Sequence, residues 1–461
     1  MKRLVLTAVY AAVLAGCGSM APPYERPAAP VPAQFPDAST AAGKAAAEIP
    51  WTEFFTDTRL KQLIALALQN NRDLRVAVLN IEQARANVTV RNADLWPTVN
   101  AGISGTRTPL ANGGSTEVYS AGVIVTAYEL DFFGRIRSSG DAASAQLLGT
   151  EEAKKAVQIS LVAAIANTWL TLQADDELLR VTRQTLASRE DSRRLTKLRF
   201  DNGAASQLDL RQAESLLEAA RVVQAAAVRQ RALDKNALEL LLGQPLPVEL
   251  AGELPTITSE LPELPVGLPS EVLTRRPDVR QAEQQLVAAN ANIGAARAAF
   301  FPRITLTGSA GSVSGELSGL FKAGSFGWSF APQLLQPLFD AGRNQANLRI
   351  AEVSRDIAVA QYERAIQSAF REVADALAGR ATLGEQRRAQ QAQVVAEQDR
   401  VRLADLRYRN GAASYLDVLD AQRSLFAAQQ ALVQVQAAYV QNGVALYRVL
   451  GGGWQAEPGA R

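Results

Sequence analysis

The sequence predicts a membrane protein of the α+β class, in which long antiparallel helices are joined to two β-hairpins that supply four strands to a transmembrane barrel. Three observations predict it. The stretch Arg199-Phe-Asp-Asn-Gly-Ala-Ala-Ser-Gln-Leu-Asp209 returns as Arg407-Tyr-Arg-Asn-Gly-Ala-Ala-Ser-Tyr-Leu-Asp417, 208 residues later. From Arg137 to Arg199 the chain runs as one alanine-rich helical pattern of 63 residues without a proline. Two pairs of segments alternate apolar with small or polar residues at a period of two, the weak signature of transmembrane strands.

The duplication extends well beyond the repeated stretch. Gly134-Arg135 matches Gly342-Arg343 and Leu242-Gly243 matches Leu450-Gly451 at the same offset. Upstream, Asp73-Leu74 matches Asp278-Val279 and Trp96-Pro97 matches Phe301-Pro302 at an offset of 205, so the second copy gains three residues between its Pro and its Gly. A period near two hundred is too long for a solenoid repeat and reads as two pseudo-symmetric halves. Each copy of the stretch closes one helical pattern at Asn-Gly and opens the next with Ser followed three residues on by Asp, a capping box.

At the amino terminus, residues 1–16 have a basic start, a short apolar run and small residues, the pattern of a secretory signal peptide. Leu14-Ala-Gly-Cys17 resembles a bacterial lipobox, in which the Cys is acylated; the alternative is an ordinary signal with an incidental Cys. Cys17 is the only cysteine of the chain, so no internal disulfide competes for it. Gly18, rather than Asp, follows it, which by resemblance to known sorting signals favours the outer membrane. Residues 17–57 form a Pro- and Ala-rich leader, extended or loosely packed. The remaining divisions are a first repeat at 58–243, a Pro-rich connection at 244–269, a second repeat at 270–451 and a tail at 452–461.

Composition excludes several function classes. With 48 basic and 46 acidic residues and no nucleic-acid motif, nucleic acid is not an expected partner. Histidine is absent, which removes His-dependent triads and the usual zinc sites. Gly451-Gly-Gly453 lacks the strand and helix context of a phosphate loop. No catalytic residue and no cofactor is expected, apart from covalent lipid on Cys17.

In chain order, apolar stripes through Leu60, Leu63, Ile64 and Ala67, then Leu74, Val78 and Ile81, predict helix from about Thr58 to Asp94, ended by Pro97. Val99, Ala101 and Ile103 then alternate with Asn100, Gly102 and Ser104, and a turn-rich run leads to Tyr119, Ala121, Val123 and Val125 on one face of a second strand. The long helix from Arg137 to Arg199 and a return helix from Gln207 to Leu242 follow. Ser270 to Ala299 is helical and leads to a second hairpin. Its first strand places Ile304 and Leu306 against Thr305 and Thr307; its second places Phe326, Trp328 and Phe330 against Gly327 and Ser329. A second long helix, about Arg343 to Arg407, and its return from Ser414 to Leu450 complete the chain.

The strands alone also fit a half-buried sheet of a soluble domain. The signal, the lipobox and the aromatic residues at the strand ends (Trp96, Phe132, Phe133, Phe300, Phe301, Phe339) favour the membrane. Four strands cannot close a barrel, and open edges in lipid leave backbone groups unsatisfied at several kcal/mol each. Copies of the chain must therefore combine. Two copies give a filled barrel and three a passage, which the small residues of the second face prefer.

Tyr24-Glu-Arg-Pro27, Trp51-Thr-Glu-Phe-Phe55, Asn71-Arg-Asp-Leu74, Glu129-Leu-Asp-Phe-Phe-Gly-Arg135, Leu273-Thr-Arg-Arg-Pro-Asp278, Gly294-Ala-Ala-Arg-Ala-Ala-Phe-Phe-Pro302 and Leu416-Asp-Val-Leu-Asp-Ala-Gln-Arg-Ser424 resemble the TolC/OprM family of outer membrane channel proteins, most closely its lipidated multidrug-efflux branch. The resemblance covers essentially the whole mature chain. It implies a homotrimer with a 12-stranded outer membrane β-barrel and an α-barrel of periplasmic helices about 100 Å long, in keeping with the helix rise. It also implies the exit duct of a tripartite efflux pump, with a periplasmic adaptor and an inner-membrane resistance-nodulation-division transporter as partners. Two alternatives remain at this point, a duct of the same fold for type I protein secretion and a lipid-anchored coiled-coil protein without a pore.

The resemblance places a periplasmic gate on the second return helix. Leu416 matches an apolar constriction, and Asp417 and Asp420 match an acidic pair. Leu416 and Asp420 share a helix face. Asp417 has a competing role as partner of Ser414 in the capping box, whereas Asp420 is expected to form an acidic ring in the lumen, against the alternative of a solvated outer face. Where some relatives carry an Arg that ties the tip shut, this chain has Ala413, so closure is expected to rest on Tyr408 and Arg409. The tips Asn202, Gly203, Ala204 and Asn410, Gly411, Ala412 are the expected adaptor contacts; the bland reading is that both turns need Asn-Gly geometry.

Overall fold

The computed structural model describes residues 19–35, 44–111, 113–250, 252, 254, 261–262, 264–265 and 275–455. The signal peptide, Cys17, most of the connection and the end of the tail lie outside them. The described chain carries α1 (Trp51–Phe54), α2 (Thr58–Asn70), α3 (Arg72–Ala93), β1 (Val99–Pro109), β2 (Ser115–Leu130), α4 (Arg135–Asp201), α5 (Gln207–Leu242), α6 (Pro277–Ala298), β3 (Arg303–Ser314), β4 (Phe326–Leu335), α7 (Arg343–Arg409) and α8 (Tyr415–Val449). It divides into two compact units. The first takes its described residues from Met1–Ala29, Leu79–Glu152 and Arg280–Ala365, the second from Pro30–Val78, Ala153–Val279 and Ile366–Arg461.

The first unit holds one antiparallel sheet in the order β1-β2-β3-β4. Its register sorts side chains by chemistry. Val99, Ala101 and Ile103 pair with Val125, Val123 and Ala121, and Trp328 and Phe330 lie beside Ala310 and Gly308, so one face is apolar and aromatic. The other carries Asn100, Ser104, Ser120, Ser309 and Ser329, with hydroxyl contacts of 2.8 Å between Ser104 and Ser120 and 2.7 Å between Ser309 and Ser329. A register shift between Val125 and Tyr128 bends β2, with Ala127 at φ 52°. β1 and β4 are edges within the chain. At the strand bases Phe133 stacks on Phe301 at 4.8 Å, and Trp96 and Phe339 are exposed. Arg135 and Arg303 both bind Glu129, at 2.7 and 2.6 Å.

In the same unit, Ala142 and Ala145 of α4 pack on Ala288 and Ala291 of α6, small residues that let the two backbones approach. The leader is more tightly held than its composition suggests. Arg26 grips Glu283 through two bonds of 2.7 and 3.0 Å, Tyr24 donates to the same carboxylate at 3.0 Å, and Asn290 and Arg297 donate to the carbonyls of Pro22 and Met20. Gly294 makes this possible, since a Cβ there would meet the Ala21 nitrogen at 2.7 Å.

In the second unit, the helical segment predicted from Thr58 to Asp94 breaks at Asn71. Its Oδ1 accepts from Leu74 N at 2.9 Å and caps α3, while its Nδ2 donates to the Leu241 carbonyl at the end of α5. The core gathers Phe54, Phe55, Leu63, Ile64, Ile165, Trp169, Leu238, Leu242 and Tyr447. Phe54 stacks on Tyr447 at 3.9 Å, and the two buried polar tips find partners: Tyr447 Oη donates to the Ile49 carbonyl at 2.6 Å and Trp169 Nε1 to Asp57 at 2.9 Å. Asp175 of α4, 7 % exposed, faces Asp234 and Arg231 of α5, with Asp176 beside it; burial first, then the hydrogen bond and charge of Asp234, pushes its carboxyl up to about 7.

Candidate functional site: the helical tips

Each long helix ends in the same way. Gly203 and Gly411 have φ of 74° and 71°, the left-handed conformation that favours glycine. Ala204 N donates back to the Arg199 carbonyl at 2.7 Å, and Ala412 N to the Arg407 carbonyl at 2.8 Å, a Schellman motif in both copies. Asn202 and Asn410 donate through Nδ2 to the carbonyls of Leu198 and Leu406, each at 2.7 Å. Asn and Gly are thus consumed in stopping the helices. Ala204 and Ala412 lend their amides to the same task, and only the methyl side chains of Ala204, Ala205, Ala412 and Ala413 have no part in it.

Both return helices start on the predicted box. Asp209 Oδ2 accepts from the Ser206 backbone at 3.1 Å, and Asp417 Oδ2 accepts from the Ser414 backbone at 2.9 Å, with the serine hydroxyls contacting the Asp417 and Asp209 amides in return. Asp417 therefore has its capping partner. Leu416 is 55 % exposed, an apolar side chain offered to open space one position earlier.

Asp420, expected to line an acidic ring, is paired within the chain. Its two oxygens lie 2.5 Å from Arg423 on its own helix and 2.5 Å from Arg400 on α7. The guanidinium groups of Arg423 and Arg400 hold its carboxyl below the usual range. Arg400 is bound in turn to Glu397 and Ser424, both at 3.2 Å. The pairing was missed because it joins two helices across the turn. A signal was present, since Arg400 and Asp420 stand at nearly equal distances on either side of Gly411.

Tyr408 and Arg409, the expected closure residues, separate. Arg409 pairs with Asp405 on its own helix at 2.8 Å. Tyr408 accepts a hydrogen bond from Arg199, whose guanidinium lies 5.0 Å from its ring, and packs against Tyr415 at 5.2 Å. Arg199, Tyr408 and Tyr415 thereby connect the ends of α4 and α7 with the start of α8. Deeper in the hairpins, Arg189 lies over Phe426 at 5.2 Å and donates to the Leu216 carbonyl, linking α4, α5 and α8; burial lowers its pKa.

The model of the outer membrane efflux protein family matches residues 63–244 and 268–452, the two repeats in turn. The chain belongs to this family. It is 47 % identical over 470 aligned positions to the probable efflux pump outer membrane protein TtgC of Pseudomonas putida, covering 99 % of this chain and 97 % of that protein. A crystal structure of a membrane protein from Pseudomonas aeruginosa matches with a TM-score of 0.90 at 44 % identity, over 95 % of this chain and 98 % of that one. The open state of the MtrE outer membrane channel of Neisseria gonorrhoeae matches with a TM-score of 0.87 at 38 % identity, over 95 % and 99 %. The chain is an outer membrane efflux protein with the α+β channel fold, and it provides the exit duct of an efflux pump.

Proposed function

We propose that three copies close a 12-stranded barrel in the outer membrane, that their helices form a periplasmic duct, and that the assembly is the terminal part of a tripartite pump for small molecules such as drugs. The observation that carries this reading is a four-stranded sheet with one aromatic face, one small and polar face, and two edges free within the chain. Such a sheet has no stable place in lipid until its edges are paired. A periplasmic adaptor docks on the tips Asn202, Gly203, Ala204 and Asn410, Gly411, Ala412, where two nearly identical surfaces per chain suit repeated adaptor subunits. A resistance-nodulation-division transporter supplies the energy. Leu416, Asp417 and Asp420 stand at the periplasmic gate, with Asp417 shaping the helix start. Acylated Cys17 adds an anchor in outer membrane lipid; the docked leader segment from Met20 to Arg26 supports a fixed rather than a loose connection to it.

Single-channel recording of the purified protein in planar bilayers tests the duct, and complementation of a deletion strain against a compound panel tests efflux. A protein that inserts without conducting overturns the reading.

A further inference from the structure

The bulge in β2 changes which face its last residues occupy. Val123 and Val125 lie beside Ala310 and Gly308, on the apolar face with Trp328 and Phe330, and an unbroken strand would put Glu129 on that same face. Between Val125 and Tyr128, three steps along β2 oppose only two along β3, from Gly308 to Leu306, so the alternation inverts. Glu129 then pairs with Thr305, on the polar face of Ser309 and Ser329. Ala127 carries the left-handed φ of 52° that the bulge imposes, and its amide donates to Thr307 Oγ1 at 3.2 Å. A strained residue thus serves to turn one carboxylate onto the polar face.

That carboxylate is not left as a free acid. Arg135, the first residue of α4, grips Glu129 with two bonds of 2.7 and 2.9 Å, and Arg303, diagonal to it on the same face of β3, binds it at 2.6 Å. The Glu129 side chain is 9 % exposed, whereas those of Arg135 and Arg303 are 41 % and 57 % exposed, so the cluster presents its cations outward and covers its anion. The other carboxylates at this level are engaged in starting helices: Asp131 accepts from the amides of Ile136 and Arg137, and Asp340 from those of Gly342 and Asn344. Arg343, the counterpart of Arg135 as first residue of α7, has no acid paired with it among the described residues, and Arg91 and Asp94 add one charge of each sign.

We propose that Arg303 and Arg135, held outward over Glu129, form with their copies a ring of guanidinium groups at the inner end of the barrel, and that this ring binds the oxyanion groups of solutes passing through the duct. The proposal rests on the trimeric duct read above, in which the polar face lines the passage. Twelve strands about 4.8 Å apart and tilted by about 40° enclose a backbone radius of about 12 Å, which the arginine side chains narrow. The axis then lies within about one Debye length of the ring, about 10 Å at 0.1 M salt, so a solute crossing this level meets the charge unscreened by distance. Guanidinium forks match carboxylate, sulfonate and phosphate groups in shape as well as charge, and rings of arginine are a means by which pores favour anions. Glu129 acts as a positioning residue, since it fixes both forks without itself facing the passage.

The test is the reversal potential of the full-length protein in planar bilayers under a KCl gradient. Arg303→Gln is expected to shift it towards cations, and Arg303→Lys, which keeps the charge, to leave it at the parent value. The Arg303→Gln shift is expected to fall at least twofold when the salt is raised to about 1 M, where the Debye length is about 3 Å. Inositol hexakisphosphate added on the side where the barrel opens reaches the ring without passing the helical tips. Half-block of the current is expected to need at least threefold more of it in Arg303→Gln than in the parent. Parental selectivity and parental block in a conducting Arg303→Gln overturn the ring and leave the duct standing, and so does a shift in Arg303→Lys equal to that in Arg303→Gln, which would assign Arg303 to holding Glu129 alone. A protein that inserts without conducting overturns the duct reading and the ring with it. Block of the parent needs no variant and supplies a second measurement: it is expected to weaken at least threefold between low and high salt, and a parent that conducts without block overturns the proposal.

Discussion

Arg276 Nη2 lies 2.9 Å from Glu372, and the same guanidinium binds Asp278 at 2.6 Å and the Val449 carbonyl at 3.0 Å. The Arg276 side chain is 7 % exposed, so a full positive charge is held inside the second unit by partners on three helices, α6, α7 and α8. Burial alone would lower its pKa, yet the bonds to Asp278 and Glu372 raise it. Glu372→Ala is expected to destabilise the protein by about 2–3 kcal/mol, less than a fully broken buried pair because Asp278 remains. Denaturant unfolding of the detergent-solubilised protein measures it; a change within error would show that Glu372 is dispensable to the buried charge.

Asp175 sets a pH dependence. Its folded carboxyl titrates near 7, above the ordinary value of 3.8, so the folded state binds the proton more tightly than the unfolded one. Its contribution is fully present below pH 3.8 and declines as pH rises to about 7. Asp175 then becomes a second negative charge against Asp234, only partly offset by Arg231. Asp175→Asn is expected to flatten that decline and to melt higher than the parent at pH 8, which thermal scans across pH measure. Parallel pH curves for the two proteins would exclude the assignment.

Asp417 and Asp420 should respond differently. Asp417→Ala removes half of a capping box and is expected to cost about 1 kcal/mol with little change in ion selectivity. Asp420→Ala frees Arg400 and Arg423, so the tip gains positive charge and loses its bond between α7 and α8. Raised resting conductance and a shift of reversal potential towards anions are expected in planar bilayers. Leu416→Ala is expected to widen the opening with no shift. Selectivity changes confined to Asp417→Ala would reverse the assignment.

The leader depends on Glu283. Burial and the charge of Glu283 push Tyr24 up to about 12 from the ordinary 10. Glu283→Ala removes the acceptor for both Tyr24 and Arg26 and is expected to raise hydrogen exchange at the Ala21, Tyr24 and Glu25 amides at least severalfold, with exchange of β2 and β3 unchanged. Unaltered exchange in the leader would show that Asn290 and Arg297 hold it alone.

Alone, the sequence determined the elements of this protein and their doubling. Proline-free, alanine-rich runs can only be long helices. Asn-Gly followed by Ser and Asp carries its own stop and start signals, and alternation at a period of two separates an aromatic face from a small one. These are local properties, written in neighbouring residues, and α5 begins and ends where its pattern does, at Gln207 and Leu242. Tertiary structure decided which charges meet. The sequence offers Asp420 as a bare acid and Arg276 as one arginine of a pair; only folding brings Arg400 across the turn to the first and Glu372 to the second. The leader is the same case, since Tyr24 and Glu283 lie 259 residues apart and nothing in a Pro- and Ala-rich composition specifies a docking partner. Pairings of this kind depend on distances between helices, which a one-dimensional pattern does not contain. The glycines of the sheet needed both kinds of information: their positions are plain in the sequence, but their alignment into one row across four strands is set by the register of the backbone hydrogen bonds.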